Sequence, residues 1–322
     1  MMAAAPSIDI LLATYNGARY LPALLASLAA QEGPAFRVLV RDDGSGDATP
    51  DILAAWAARH PGRVSLIPTD APTGSAAGNF ARLMQASDAD YVLFADQDDI
   101  WRPSKVAATL DALQAAEARS GGPSRPALAF CDLALVDGDG RPLHASFRAF
   151  QGLDVVAGCR LERLLLNNVV TGCAMGVNRA ALTTCGTLPD GVIMHDWWLA
   201  LICAGLGTIQ VMPDCLIEYR QHGGNVVGAK RSDPLNTLSR LGRLSALQDN
   251  ITAYRHWLTT LCHQAEQFGN RYGAHLSADH RALVQAFAGL RRQGPLHRRL
   301  TALRYGFRLE TPAQTLAFLA RM

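Results

Sequence analysis

The feature that most constrains this chain is an alternation of short apolar runs with helical periodicity over its first hundred residues. Ile8 to Thr14, Arg37 to Arg41, Val64 to Ile67 and Tyr91 to Ala95 read as strands. Between them, Tyr20 to Ala30, Ala48 to Arg59 and Asn79 to Ala86 carry helical apolar spacing, and Thr49-Pro50 suits a helix start. Strands that are apolar on both faces and separated by helices predict an α/β fold with a mainly parallel, Rossmann-like sheet covered on both sides.

In open sheets of this kind ligands bind beyond the carboxyl ends of the strands. Here those ends carry Thr14-Tyr15-Asn16, Asp42-Asp43-Gly44-Ser45 and Asp96-Gln97-Asp98-Asp99. Three polar clusters far apart in sequence thus converge on one edge. The last packs three carboxylates into four residues, which repel one another unless a cation sits among them. Hard oxygen ligands beside phosphates suit Mg²⁺ or Mn²⁺. Against this stands a solvated acidic turn ahead of the helix expected from Pro103 to Ala118. An Asp of the 42–43 pair is placed to accept the N–H of a pyrimidine base; a plain Asp-capped turn is the other reading.

Beyond Gly121-Gly122-Pro123, strands are expected at Leu128 to Val136, Cys173 to Val177, Thr208 to Met212 and Cys215 to Tyr219. Asp137-Gly-Asp-Gly140 predicts a hairpin turn into Pro142 to Phe147, and Asp196 to Ala204 a buried helix. After Ser232 the pattern is helical, with apolar periodicity in Leu235 to Leu261, His280 to Leu290 and Leu296 to Phe307. Charge divides at the same place: residues 1–229 hold 16 Lys/Arg against 23 Asp/Glu, and residues 230–322 hold 14 against 5. The expected organisation is a catalytic domain over 1–229 and a basic helical region over 230–322.

Six ordered motifs carry a resemblance: Ala13-Thr-Tyr-Asn-Gly17, Asp42-Asp-Gly-Ser45, Phe94-Ala-Asp-Gln-Asp-Asp-Ile-Trp101, Thr171-Gly-Cys-Ala-Met175, His195-Asp-Trp-Trp198 and Tyr219-Arg-Gln-His-Gly-Gly-Asn225. Over about residues 7–229 the chain resembles glycosyltransferase family 2, of the GT-A fold, in its bacterial rhamnosyltransferase-like branch. The resemblance implies an inverting, metal-dependent transfer from a nucleotide sugar to a hydroxyl of a glycan or lipid-linked acceptor in surface polysaccharide synthesis. It implies that Thr14, Tyr15 and Asn16 flank the nucleotide, that Asp42 or Asp43 bonds the base, and that Asn79 and Gly74 line the pocket. Asp96 and Asp98 match the DXD motif, with Asp98 the main metal ligand, Asp96 near ribose or metal, and Asp99 an uncertain member. Arg220 and His222 lie where they would touch the diphosphate or complete the metal shell, and Gly223-Gly224-Asn225 where a lid would form. Asp196 would be the general base; His195 before it departs from the family's commoner Glu but agrees with the branch. Thr171 to Met175 would line the acceptor side, and Trp101 is read as core. The branch favours dTDP-L-rhamnose as donor, then UDP-sugars.

No GxGxxG follows the first strand and no Walker A sequence occurs, which argues against a dehydrogenase or P-loop enzyme. A nucleotidyltransferase or a non-catalytic GT-A relative remains as the alternative. Seven scattered cysteines without CxxC spacing predict a reduced, cytosolic protein. No signal peptide or membrane span is expected. The arginines from 291 to 308, interleaved with Leu296, Leu300, Leu303, Tyr305 and Phe307, suggest peripheral contact with the inner membrane face; a solvated helical bundle or dimerisation face is the other reading. No nucleic-acid-binding module accompanies the charge.

Overall fold

The computed structural model describes residues 5–223 and 244–322. Gly224 and Asn225 of the candidate lid, and the part of the expected helix at 235–243, lie outside the described residues.

The first half follows the expected alternation. Strands β1 (Ile8–Thr14), β2 (Arg37–Asp42), β3 (Val64–Leu66) and β4 (Tyr91–Asp96) alternate with helices α1 (Leu21–Ala29), α2 (Thr49–Arg59) and α3 (Ala76–Ala86). The interiors of β1 and β4 are almost wholly buried, as a sheet covered on both faces requires. Local signals set the helix starts. Pro50 lies in the first turn of α2, and the Ser75 hydroxyl caps α3 by accepting the Gly78 N–H.

The second half adds β5 (Ile100–Trp101), α4 (Lys105–Ser120), β6 (Ala127–Val136), β7 (Pro142–His144), short helices α5 (Phe147–Gln151), α6 (Val155–Gly158) and α7 (Leu161–Leu164), β8 (Met175–Asn178), α8 (Arg179–Cys185), α9 (His195–Leu206) and β9 (Thr208–Arg220). The sheet order is β3-β2-β1-β4-β8-β6-β9-β5, with β7 paired to β6. β1 to β4 are mutually parallel. β8 is antiparallel to both β4 and β6, so β6, and β9 beside it, run in the common direction. The carboxyl ends therefore lie along one edge: Thr14 opposite Asp42, Ala13 opposite Asp96, and Val136 opposite Arg220.

One expectation is modified. The two strands anticipated at 208–212 and 215–219 are one strand, β9, whose register on β6 slips between Phe130 and Asp132. Pro213 falls in that slip, where a missing N–H breaks no ladder bond. Thr208 pairs with Pro126 only because residue 207 is glycine: a Cβ there would lie 1.8 Å from the Pro126 carbonyl oxygen.

The C-terminal helices are α10 (Leu244–Tyr272), α11 (Ala278–Ala288), α12 (Pro295–Tyr305) and α13 (Pro312–Arg321). They share a core with the sheet. Phe268 and Tyr272 pack on Trp198 of α9, in one apolar cluster with Phe94, Phe287 and Phe318. Among the described residues no helix is long and apolar enough to cross a membrane.

Candidate active site

The acidic end of β4 is the centre of the carboxyl edge. Asp99 is fully buried, and its Oδ2 has no hydrogen-bond partner among the described residues. One ligand atom each from Asp96, Asp99 and Cys173 lies within 4.8 Å of the others. Burial first, then the charges of Asp98 and Asp196, pushes the Asp96 carboxyl up to about 7. Burial and the neighbouring Asp98 and Asp96 hold Asp99 well above the carboxylate range. The sequence reading ranked Asp99 lowest of the three, yet it is the most deeply enclosed.

Asp98 is paired with an imidazole. Its Oδ2 lies 2.8 Å from Nε2 of His222, just past the end of β9. Its carbonyl accepts from Nε of Arg220 at 3.0 Å, and the Arg220 backbone N–H points at Asp99 Oδ1 at 3.4 Å. Sequence reasoning missed Tyr20, which holds this corner together. The His222 ring stacks on it at 4.6 Å, and the Arg220 guanidinium sits 4.9 Å from its ring centre. Nothing in the sequence marks Tyr20 beyond a helix-start aromatic; its partners are some two hundred residues away.

The β1 and β2 ends form the adjoining wall. Tyr15 is 58% exposed, and its backbone makes a reciprocal amide pair with Gln97: N–H to Oε1 and Nε2 to C=O, both 2.9 Å. Gly17 permits this, since a Cβ there would lie 2.2 Å from Gln97 Oε1. Asn16, at φ +48°, joins its Oδ1 to the Gly46 N–H and its own N–H to Ser45 Oγ. Asp42 accepts from the Thr14 and Ser45 hydroxyls and from the N–H groups of Gly44 and Ser45. Asp43 accepts from Arg41, from the Thr73 N–H and hydroxyl, and from Gly74. Burial opposes its charge, but these donors outweigh it and hold its pKa down. Asn79 is buried beneath, bonded to Arg41 and to the Thr14 and Arg41 carbonyls. So Asp42, Asp43 and Asn79 brace the wall, while Tyr15 presents an open ring.

Asp196 closes the site from the far side. It lies in the first turn of α9, where the helix N-terminus favours a carboxylate. The Trp197 N–H donates to Oδ1 at 2.6 Å. Burial dominates all the same and raises its pKa to about 7. The neighbouring 3₁₀ turn, Gly172–Ala174, needs glycine first: a Cβ on Gly172 would lie 3.3 Å from both Asp196 Oδ2 and His195 Nε2. His195 stacks on Phe80 at 4.1 Å, and neither ring nitrogen has a partner among the described residues. Burial lowers its pKa to about 3, so it is a neutral wall. Trp101 is 2% exposed and belongs to the core, with the Lys105 ammonium 4.9 Å from its ring centre.

The β4 end suits a divalent cation. A buried carboxylate with an unpartnered oxygen among the described residues, a second raised by burial and by its acidic neighbours, and a third beside an imidazole form a donor set that a divalent cation would satisfy.

The chain is similar to several known proteins. Residues 9–127 match the Glycosyl transferase family 2 domain. The chain is 33% identical over 105 residues to the dTDP-rhamnosyl transferase RfbG of Shigella flexneri, covering 32% of this chain and 36% of that protein. It is 25% identical over 217 residues to the putative teichuronic acid biosynthesis glycosyltransferase TuaG of Bacillus subtilis, covering 67% of this chain and 79% of that one. The fold is similar to that of S. aureus TarS 1–349 in complex with UDP-GlcNAc, with TM-score 0.54 at 15% identity over 98% of this chain and 90% of that one. Residues 9–127 are thus similar to glycosyltransferase family 2 domains, and the fold is a GT-A-like α/β fold.

Proposed function

We propose that this chain is an inverting glycosyltransferase of bacterial polysaccharide synthesis, moving a sugar from a nucleoside-diphosphate donor to a hydroxyl of a glycan or lipid-linked acceptor. The observation that carries this reading is the pairing of two opposed acidic walls in one site. Asp196, with a pKa near 7, stands close enough to Asp96 for their charges to interact.

The exposed ring of Tyr15 stacks on the base, with Thr14, Asn16, Asp42, Asp43 and Asn79 setting the shape of that wall. Arg220 would meet the diphosphate, and Asp96, Asp98 and His222 would hold Mg²⁺ or Mn²⁺. When bound, the cation neutralises charge on the leaving diphosphate. Asp196 takes the proton from the acceptor hydroxyl, whose oxygen attacks the anomeric carbon as the nucleoside diphosphate departs. A base tuned near 7 is half ionised at neutral pH, where it both accepts a proton readily and is available to do so. With Asp196 acting as base and no covalent enzyme intermediate, a single displacement inverts the anomeric centre.

The name of RfbG favours dTDP-rhamnose as donor, and the UDP-GlcNAc complex of TarS keeps UDP-sugars next. An acceptor carried on a lipid would bring the chain to the inner membrane face through its basic C-terminal helices. Titration calorimetry of dTDP and UDP with and without Mn²⁺ tests the donor site: binding that strengthens with Mn²⁺ is expected, and metal-independent binding or none would overturn it. A nucleotide-sugar panel scored for hydrolysis then identifies the donor.

A further inference from the structure

Helix α12 is built inside out. Its fully buried residue is Ala302, while Leu296, Leu300 and Leu303 are 66%, 54% and 64% exposed. A helix serving only the core would bury its leucines and expose its alanine. The three leucines, at i, i+4 and i+7, form one stripe along the outer face. Leu316 of α13, close in sequence, is 70% exposed as well. Four of the eight large hydrophobic side chains exposed among the described residues thus fall within positions 296–316. Such clustering marks a surface with a partner.

The charge around the stripe says which partner. Residues 290–322 contain seven arginines and a single acidic side chain, Glu310. Glu310 is turned inward, with its side chain 9% exposed beside Arg163 and near the Asp154 N–H. Arg298 also points inward, donating to the Leu290, Gln293 and Met322 carbonyls. Arg299 and Arg304 are exposed and flank the leucine stripe on opposite sides of the helix, and Arg308 is exposed just beyond its end. Arg299 is splayed across the end of α13, donating to the Leu319 and Ala320 carbonyls. The outer face therefore offers leucines rimmed by guanidinium groups, with no carboxylate among them.

We infer that the Leu296–Leu300–Leu303 face of α12, rimmed by Arg299, Arg304 and Arg308, docks on an anionic lipid bilayer. The helix lies in the plane of the interface. Its leucines enter the acyl boundary and its arginines remain at the phosphate level, their apolar stems along the lipid. A second copy of the chain is the poorer fit, because a two-fold contact through this face would bring arginines against arginines. The inference deepens the membrane contact proposed above and does not depend on which sugar is transferred.

The experiment is flotation of the full chain with phosphatidylcholine vesicles, with and without phosphatidylglycerol. Binding is expected only to the anionic vesicles, and to weaken as salt shortens the screening length from about 8 Å towards about 3 Å. Replacing the three leucines together by Gln should lower vesicle affinity by about a hundredfold. Arg304→Gln and Arg308→Gln should each lower it by about fivefold. All these side chains are exposed, so circular dichroism and Tm should not change. Equal binding to neutral vesicles, no binding to either, or leucine variants that bind unchanged would overturn the inference. So would light scattering that shows a dimer dissolved by the leucine substitutions. Nucleotide titration of the same variants separates the two proposals: vesicle binding without nucleotide binding keeps this surface and removes the transferase reading.

Discussion

Substituting Asp196 by Asn should inactivate the protein and stabilise it, with both effects growing as pH rises. The carboxyl is forced from its ordinary value of 3.8 to about 7 by burial, so the fold favours its protonated form. The folded pKa lies above the unfolded one. The stabilising contribution is therefore fully present below about pH 3.8 and is lost as pH rises through 7. Over three pH units, at about 1.4 kcal/mol each, the whole window is worth up to about 4 kcal/mol; between pH 5 and 8 it is about 3 kcal/mol. Asn keeps the shape and cannot ionise. The wild type should lose stability relative to D196N by about 3 kcal/mol from pH 5 to 8, read as a Tm gap widening by about 6 °C. The similar behaviour of Asp99 cancels in the difference between the two proteins, whereas Asp96 is relieved of the Asp196 charge in D196N, which widens the gap in the same direction. Over the same range wild-type kcat should fall about tenfold per unit below pH 7. D196N should lose a hundredfold to ten-thousandfold of kcat, with nucleotide affinity kept. Parallel Tm curves for the two proteins would refute the burial argument. Retained turnover in D196N would refute the assignment of the base.

Mn²⁺ should raise the wild-type Tm more at pH 8 than at pH 5, because protons on Asp96 compete with the cation; thermal scans with and without Mn²⁺ read this directly. Tyr20→Ala removes the ring on which both His222 and Arg220 rest, and should weaken Mn²⁺-dependent nucleotide binding by about tenfold in calorimetry with little change in Tm. Gly17→Ala should displace the Gln97 amide from Tyr15 and weaken nucleotide binding, since the new methyl occupies the amide's place. Gly207→Ala should destabilise by more than about 3 kcal/mol in urea, because the added carbon meets the backbone of Pro126 and not a flexible side chain.

The parallel half of the sheet was legible because burial on both faces leaves continuous apolar runs, and because the chain turns polar where each strand ends. The same rule located Asp96 to Asp99 beside Asp42 and Asp43. What it does not convey is the direction of lone pairs. Asp42, Asp43 and Asp99 look alike in sequence, as acidic residues just past an apolar strand. In the fold, Asp42 and Asp43 each accept four hydrogen bonds from the protein, and Asp99 keeps an oxygen with none among the described residues. The two-residue strand β5 was missed for a related reason: Ile100-Trp101 has no period of its own and exists as a strand through its pairing with Ile217 and Glu218.

The contrast between those carboxylates has a mechanical consequence for the site. A carboxylate whose lone pairs are all used by backbone and hydroxyl donors is fixed in place and unlikely partners cannot recruit it; it shapes a wall. One that is buried without donors is held there at an energetic cost, which is recovered only when a proton or a cation arrives. The β2 end is of the first kind, and supplies a rigid cradle beside Tyr15. Asp99 at the β4 end is nearer the second kind, and so is Asp196, whose backbone donors do not offset its burial. Rigid carboxylates at the β2 end thus stand beside charge-hungry ones at the β4 end and at the start of α9. Under the proposed function, a nucleotide would meet the first, its diphosphate the second and an incoming hydroxyl the third.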